Sequence, residues 1–253
     1  MDRRDFLKLG IVTAAGMAIP ISALELLTPE ALAAMKKSGR RWVFFFDTTK
    51  CRGCGMCVKA CKLENEIPFE ANVSRTWIER YVELKDGTVI IDSPKEGRRG
   101  YLKNDPQGKN IKEEDITKGF FICKLCNQCE KPSCVQVCPV GATYKTHDGV
   151  ILVDRKWCIG CGYCVQNCPY GARFFHPVHN VAEKCTFCYH RITKGMNSAC
   201  ADACAFGARK IGDINDPQSE VHKLIKYERT FVLKPEYGNK PMVFYIGHDH
   251  IVR

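Results

Sequence analysis

After its first 34 residues the 253-residue chain has no run of about 18 apolar residues. Nothing there reads as a membrane-spanning helix, so any membrane contact is expected to come through a partner. The chain also lacks G-x-G-x-x-G and G-x4-G-K-[ST], which excludes the common nucleotide-binding loops. No nucleophile stands in a recognisable motif. Roughly 220 residues past the amino terminus suffice for one or two compact units with buried cores, but not for a large organic-cofactor domain as well. Histidine is scarce, at 7 residues. His176 and His179 flank Pro177, and His248 and His250 alternate near the carboxyl end, but no carboxylate or cysteine spacing completes a site around them. Surface or interface roles are expected for these four.

Cysteine, by contrast, is abundant. Of 17 cysteines, all but Cys123 fall into four groups. The third, Cys158, Cys161, Cys164 and Cys168 followed by Pro169, has the spacing C-x2-C-x2-C-x3-C-P, the run of a bacterial 4Fe-4S ferredoxin. The first, Cys51, Cys54, Cys57 and Cys61, repeats those spacings without the proline. The second, Cys126, Cys129, Cys134 and Cys138, widens its middle gap to four residues and keeps Pro139, and the fourth, Cys185, Cys188, Cys200 and Cys204, widens it to eleven. Two intervening residues let a tight loop aim successive sulfurs at one cluster. The fourth cysteine of such a run points away and serves a neighbouring cluster. Gly53, Gly55, Gly160 and Gly162 suit these loops because they accept unusual backbone angles and let amides approach sulfur. Four groups of four ligands match four cubane clusters.

Other uses of cysteine fit less well. Zinc favours separated C-x2-C pairs, which only the fourth group resembles. A disulfide framework belongs to short secreted chains without a core, and cysteines this close within a loop do not pair readily. Cys123 stands outside the spacing and is expected to be a buried, inert thiol beside a strand. Trp157, next to a ligand, is expected to shield its cluster. The formal charge of +10 also changes meaning. An oxidised cubane with four thiolates carries about −2, so four bring the loaded protein near neutrality and remove the case for nucleic-acid binding. Basic runs such as Arg98-Arg99, or Lys36, Lys37, Arg40 and Arg41, are then solvated surface or docking patches.

The amino terminus, Asp2-Arg3-Arg4-Asp5-Phe6-Leu7-Lys8, resembles a twin-arginine export signal with Asp2 where Ser or Thr is usual. An apolar stretch follows from Leu9 to Ile21, and Ala31-Leu32-Ala33 offers a cleavage site. That route carries folded proteins, so cluster insertion before export is compatible with it. The expected location is the periplasm or the extracytoplasmic face of the cytoplasmic membrane.

Short runs rich in aromatic and branched residues precede three cysteine groups: Trp42 to Phe46, Phe120 to Ile122 and Val150 to Val153. Each predicts a strand, giving the order strand, cysteine loop, short helix. Strands are also predicted at Trp77 to Leu84, Thr88 to Ile91 and Met242 to Ile246, with a helix from Ser219 to Tyr227. The polar stretch Ser93 to Asp115 predicts an exposed insertion.

The four groups in this order, the export signal and the phrase Cys161-Gly162-Tyr163-Cys164-Val165-Gln166-Asn167-Cys168-Pro169-Tyr170-Gly171-Ala172-Arg173-Phe174 resemble the four-cluster electron-transfer subunits of anaerobic respiratory complexes. These include the iron-sulfur subunits of tetrathionate, polysulfide and dimethyl sulfoxide reductases, and the exported subunit of a sulfite-reduction-associated quinone complex. Leu233-Lys234-Pro235-Glu236 and Val243-Phe244-Tyr245 are similar to the tetrathionate-reductase-like branch. The resemblance implies an α+β fold of two pseudo-symmetric ferredoxin-type dicluster units. Residues 40–61 with 181–215 would form the first unit and 120–180 the second, with a β-containing insertion at 62–119, a carboxyl-terminal extension at 216–253 and the signal at 1–34.

The resemblance also implies the ligand sets. Cys51, Cys54, Cys57 and Cys204 would hold one cluster, and Cys61, Cys185, Cys188 and Cys200 a second. Cys126, Cys129, Cys134 and Cys168 would hold a third, and Cys138, Cys158, Cys161 and Cys164 a fourth. One branch of the family has Trp at the position of Cys161 and a 3Fe cluster; cysteine here implies 4Fe-4S clusters throughout. In relatives the fourth cluster lies nearest a quinone-binding integral membrane subunit and the first nearest a molybdenum-type catalytic subunit; in the sulfite-associated complex a multihaem cytochrome is the partner. The implied role is outer-sphere electron transfer with no catalytic site in this chain, the alternative being a freestanding soluble polyferredoxin-type carrier.

Overall fold

The computed structural model describes residues 39–101, 111–247 and 252; the signal-like segment at 1–34 and the pair His248 and His250 lie outside the described residues. In chain order the strands and α-helices are β1 (Trp42–Asp47), α1 (Met56–Glu64), β2 (Thr76–Leu84), β3 (Val89–Asp92), β4 (Ile116–Leu125), α2 (Ser133–Gln136), β5 (Thr143–Lys145), β6 (Ile151–Val153), α3 (Tyr163–Gln166), β7 (Arg173–Phe175), β8 (Ala182–Lys184), α4 (Tyr189–Ile192), α5 (Ala199–Asp202), β9 (Arg209–Asp213), α6 (Glu220–Tyr227) and β10 (Val243–Ile246). Mixed helix and strand content in segregated sheets makes the fold α+β.

β1 reads Trp-Val-Phe-Phe-Phe-Asp, and every residue after Trp42 is buried. Successive side chains of a strand point to opposite faces, so a strand covered on both sides needs continuous hydrophobicity rather than alternation. Val43 and Phe45 pack with Val221, Leu224 and Ile225 of α6. Phe44 and Phe46 face the other way into the main core, with ring centroids 5.7 Å from Phe187 and 6.0 Å from Tyr245. β1 lies between β9, antiparallel, and β10, parallel. The strand before the first cysteine group is thus laced to the strand after the last, and the predicted final strand is part of this sheet.

The second sheet has the order β3-β2-β4, all antiparallel. Tyr81 of β2 sits opposite Phe120 of β4 and their rings stack at 5.3 Å, a cross-strand pair of the kind that fixes register. β4 is longer than the predicted Phe120 to Ile122. It begins at Ile116 and runs without a break to Leu125, delivering the chain to Cys126 across the expected boundary at residue 119. Two hairpins, β5 with β6 and β7 with β8, follow the second and third cysteine groups.

One expectation is corrected. The polar stretch from Ser93 is not exposed at its near end, since Gly97, Arg98, Gly100 and Tyr101 are buried. The Tyr101 hydroxyl donates to the Ile78 carbonyl, and Arg98 pairs with Glu96 and Glu70. Gly97 and Gly100 lie against the first cysteine loop: a Cβ on Gly100 would stand 3.1 Å from the Cys54 carbonyl oxygen. Polar composition hid a segment whose glycines permit close backbone approach.

Phe44 joins the sheet to Phe187, which lies between two cysteines of the fourth group. Phe44→Ala should cost about 3–5 kcal/mol in stability, as other buried Phe→Ala changes do. Anaerobic thermal unfolding of the loaded protein measures it, and a loss under about 1 kcal/mol would contradict this packing.

Candidate functional site

The loops turn where glycine permits. Gly53 and Gly55 have φ of +63° and +76°, Gly160 and Gly162 +70° and +79°, all in the left-handed region that side chains resist. The second glycine of each pair directly precedes a helix, so Cys57 enters the first turn of α1 and Cys164 that of α3. At Gly55 the restriction is double: a Cβ would lie 2.3 Å from the Gly97 carbonyl oxygen. In the fourth group Phe187 and Cys188 adopt φ of +56° and +54° themselves, without a glycine. Cys138, Cys168 and Cys204 each stand two residues beyond a four-residue helix.

Electrostatic neighbours show which thiols the fold brings together. Burial raises the Cys51 thiol, and Cys204 and Cys54 add to the rise. Burial pushes Cys57 up to about 12, with Cys200, Cys51 and Cys54 contributing. Cys61 and Cys185, both raised by burial, each feel Cys200 and Cys188, and Cys185 also feels Cys61 and Cys126. Cys129 is raised by burial and then by Cys126, Cys134 and Cys168. Cys138 differs: burial pushes it up, but the backbone N–H groups of Thr143, Val140 and Ala142 outweigh that and the net shift is down. Cys158, Cys161 and Cys164 lie on the third loop, of which Cys161 is exposed and Cys164 buried.

Several donors address sulfur. The backbone N–H of Thr143 donates to Cys138 Sγ at 3.4 Å and that of Phe187 to Cys185 Sγ at 3.4 Å. Asn65 Nδ2 reaches Cys61 Sγ at 3.6 Å and Arg173 Nη2 reaches Cys134 Sγ at 3.1 Å. Such contacts steady a thiolate and tune a cluster bound to it. Burial that raises a thiol as far as it does Cys61 and Cys185 makes the bare thiolate costly, so these two ionise at neutral pH only against strong positive charge, as iron supplies. Among the described residues no three His, Cys, Asp or Glu close on one ion-sized point. The donor set, its spacing and its burial fit a four-iron body.

Cys123 is fully buried on β4 beside Thr76 Oγ1, 3.5 Å away, and burial drives its thiol far up. A further expectation is corrected. His176 is not a surface residue but is buried at 1 % exposure, its Nδ1 accepting from the backbone N–H groups of Val178 and His179. Trp157, beside Cys158, is 67 % exposed. A turn-forming acceptor role draws His176 inward.

Sequence reasoning passed over Gln128. Buried in the second loop, it donates from Nε2 to the Cys185 carbonyl at 2.6 Å and accepts at Oε1 from the Ile151 N–H at 2.6 Å, tying the second group to the fourth and to β6. Its positive φ of +46° was the one local signal, and that is visible only in the backbone.

A protein whose loops present thiols in this manner is a carrier of 4Fe-4S clusters, and its chemistry is electron transfer. A family model for a 4Fe-4S dicluster domain matches residues 117–214, and one for a 4Fe-4S binding domain matches residues 42–63. A tetrathionate reductase subunit of Salmonella typhimurium is 37 % identical over 252 residues, covering 98 % of this chain and 89 % of the relative. A sulfite dehydrogenase subunit of Allochromatium vinosum is 39 % identical over 208 residues, covering 79 % of this chain and 80 % of that one. The iron-sulfur cluster-binding subunit of menaquinone reductase from Nitratidesulfovibrio vulgaris is 32 % identical, covering 88 % and 94 %. The chain belongs to this family of iron-sulfur subunits of anaerobic respiratory oxidoreductases.

Since Cys123 is outside every ligand spacing, Cys123→Ser should leave iron per chain unchanged. Loss of about four irons, one cluster, on anaerobic metal analysis would mean that the second group uses another register.

Proposed function

We propose that this chain is the electron-conducting subunit of a membrane-attached respiratory complex. It holds four 4Fe-4S clusters in series and passes electrons between a quinone-reactive membrane subunit and a molybdenum-type catalytic or multihaem cytochrome partner. Bound clusters supply one-electron redox states spread over a wide range of potential. The protein's part is to hold them in order, exclude water from the inner ones and leave the outer ones accessible.

The observation that carries this reading is where the exposed thiols fall. Cys54 and Cys161 are exposed, whereas Cys57, Cys61, Cys126, Cys129, Cys164, Cys185, Cys188 and Cys200 are buried. Taking the ligand sets as Cys51, Cys54, Cys57, Cys204; Cys61, Cys185, Cys188, Cys200; Cys126, Cys129, Cys134, Cys168; and Cys138, Cys158, Cys161, Cys164, the exposed ligands fall in the two terminal sets. The mutual influence of Cys57 with Cys200, and of Cys185 with Cys126, supports the order of the first three. Repetition of loop, four-residue helix and hairpin after groups two and three supports paired ferredoxin-type units.

Both ends also carry exposed apolar side chains. Trp157, Ile159 and Tyr163 stand in the third loop, and Phe175, against which Gly162 packs, is 43 % exposed. Met56 and Leu63 stand out from α1 beside the first group. Large apolar residues in such places mark surfaces that other proteins cover, which favours a complex over a freestanding carrier. The amino-terminal segment supports assembly on the extracytoplasmic side after twin-arginine export.

Anaerobically purified protein should contain about sixteen iron and about sixteen acid-labile sulfide per chain; about eight of each, or stoichiometric zinc, defeats the four-cluster reading. Solubilised membranes bearing a tagged chain should yield a quinone-binding integral subunit and a larger redox partner in fixed ratio. Recovery of the loaded chain alone from gently solubilised membranes and from the soluble fraction alike would favour the freestanding carrier.

A further inference from the structure

Eight Lys and Arg side chains are buried among the described residues: Lys62, Arg75, Arg80, Arg98, Lys124, Arg173, Lys184 and Arg209. Five have a carboxylate partner. Lys62 lies 3.2 Å from Glu96, Arg75 3.0 Å from Glu183, Arg80 2.6 Å from Asp92, Arg98 3.4 Å from Glu96 and Lys124 3.3 Å from Glu79. Among the described residues Arg173, Lys184 and Arg209 have none. A buried charge without a counter-charge is strongly destabilising, so something else must neutralise these three.

Their positions say what that is. Arg209, on β9, donates from Nη1 to Thr76 Oγ1 at 3.1 Å and lies over the Phe46 ring, while its Nη2 is buried with no hydrogen-bond partner. The sulfurs that act on it are Cys123, then Cys57 and Cys51 from the first ligand set and Cys200 from the second. Lys184, on β8, donates from Nζ to the carbonyls of Ile151 and Cys185. Its sulfur neighbours are Cys185 from the second set and Cys126 and Cys134 from the third. Arg173, on β7, donates from Nη1 to Thr143 Oγ1 at 3.3 Å and from Nη2 to Cys134 Sγ at 3.1 Å. Its sulfur neighbours are Cys134 and Cys126 from the third set and Cys164 from the fourth. Four sets in series have three intervals, and one carboxylate-free buried cation stands at each.

We infer that Arg209, Lys184 and Arg173 are electrostatic bridges, each lying between two neighbouring clusters and holding the reduction potentials of both up together. The inference rests on the four-cluster reading above. Each hop oxidises one cluster and reduces the next by one electron, with no bond made or proton moved, so the protein adjusts its energy through fixed charge. An added electron makes a cluster more negative, and a cation beside it favours the reduced form. A cation shared by two clusters also offsets the repulsion between them when both are reduced. Lys184 and Arg173 reinforce the point. Arg173 opposes the charge on Lys184, so two like charges share the neighbourhood of Cys126 and Cys134, where anionic cluster charge offsets them.

The test is an EPR-monitored redox titration of the loaded protein with Arg209→Gln, Lys184→Gln and Arg173→Gln, alongside iron analysis. With wild-type iron, each variant should lower the reduction equilibrium constants of its two flanking clusters at least tenfold, or about 59 mV for a one-electron couple, leaving the remote two in place. Arg209→Lys, Lys184→Arg and Arg173→Lys should restore wild-type potentials. Unmoved flanking potentials, an equal shift of all four clusters, or charge-conserving variants that behave like the glutamine ones would overturn the inference. Where a glutamine variant fails to load, its charge-conserving counterpart decides: wild-type iron and potentials support a role of charge, and loss of a cluster overturns it. Wild-type protein with about eight irons would instead defeat the four-cluster reading, a result separable from unmoved potentials at about sixteen.

Discussion

Negative charge gathered inside a small protein is the constraint to which most of this chain answers. Thiols such as Cys57, Cys61 and Cys185 are pushed up by burial, so as ligands they require positive charge within reach. Iron supplies most of it and leaves each oxidised cubane with its thiolates at about −2. The surplus of Lys and Arg over Asp and Glu, 38 against 28, then stops looking like a binding surface for an external polyanion. Part of that surplus is internal, on strands that lead to or from cysteine groups, as Arg173, Lys184 and Arg209 show.

The same constraint explains how the backbone is braced. Loops that carry cysteines have little hydrophobic packing of their own and would open if only their own residues held them. The sheets hold them from outside. β1 enters the first loop, β4 the second and β6 the third, and each is buried in whole or part. β9 and β10 then clamp β1 from both sides, so the first group is fixed by the end of the chain rather than by its neighbours in sequence. Gln128 does on a small scale what the sheet does on a large one, joining the second loop to Cys185 and β6.

What the sequence disclosed follows from how local each feature is. The cysteine loops were legible because ligand geometry imposes short spacings, and β1, β2 and β10 because aromatic and branched residues cluster there. The expectation of a buried thiol at Cys123 also followed from its place outside the spacing, and the structure buries it. The buried side of Ser93 to Tyr101 was not legible, because it depends on Gly55, Gly97 and Gly100 meeting across some 40 residues of chain. His176 was misjudged because histidine next to proline reads as surface, whereas its Nδ1 caps the two N–H groups that follow. Arg173 and Lys184 drew no notice because Lys and Arg are seldom buried; that neither has a carboxylate partner among the described residues is visible only in three dimensions.

The uneven fourth group is the last feature to account for. Its middle gap of eleven residues holds α4 and the turn that follows, where the third group has only two residues. Those extra residues reach outward to α1: His190 and Arg191 contact Glu64 at 2.7 and 2.8 Å, and Arg191 also holds Asp202 of α5 at 2.6 Å. Glu64 is held below its usual range by the hydrogen bond from His190, against a smaller opposing effect of burial, with Arg191 adding to it. α5 thereby docks on α1, setting Cys200 near Cys57 and Cys61, and Cys204 near Cys51. The long gap lets one group, late in the chain, lie beside the first group through α5 and beside the second through Cys185 and Cys126.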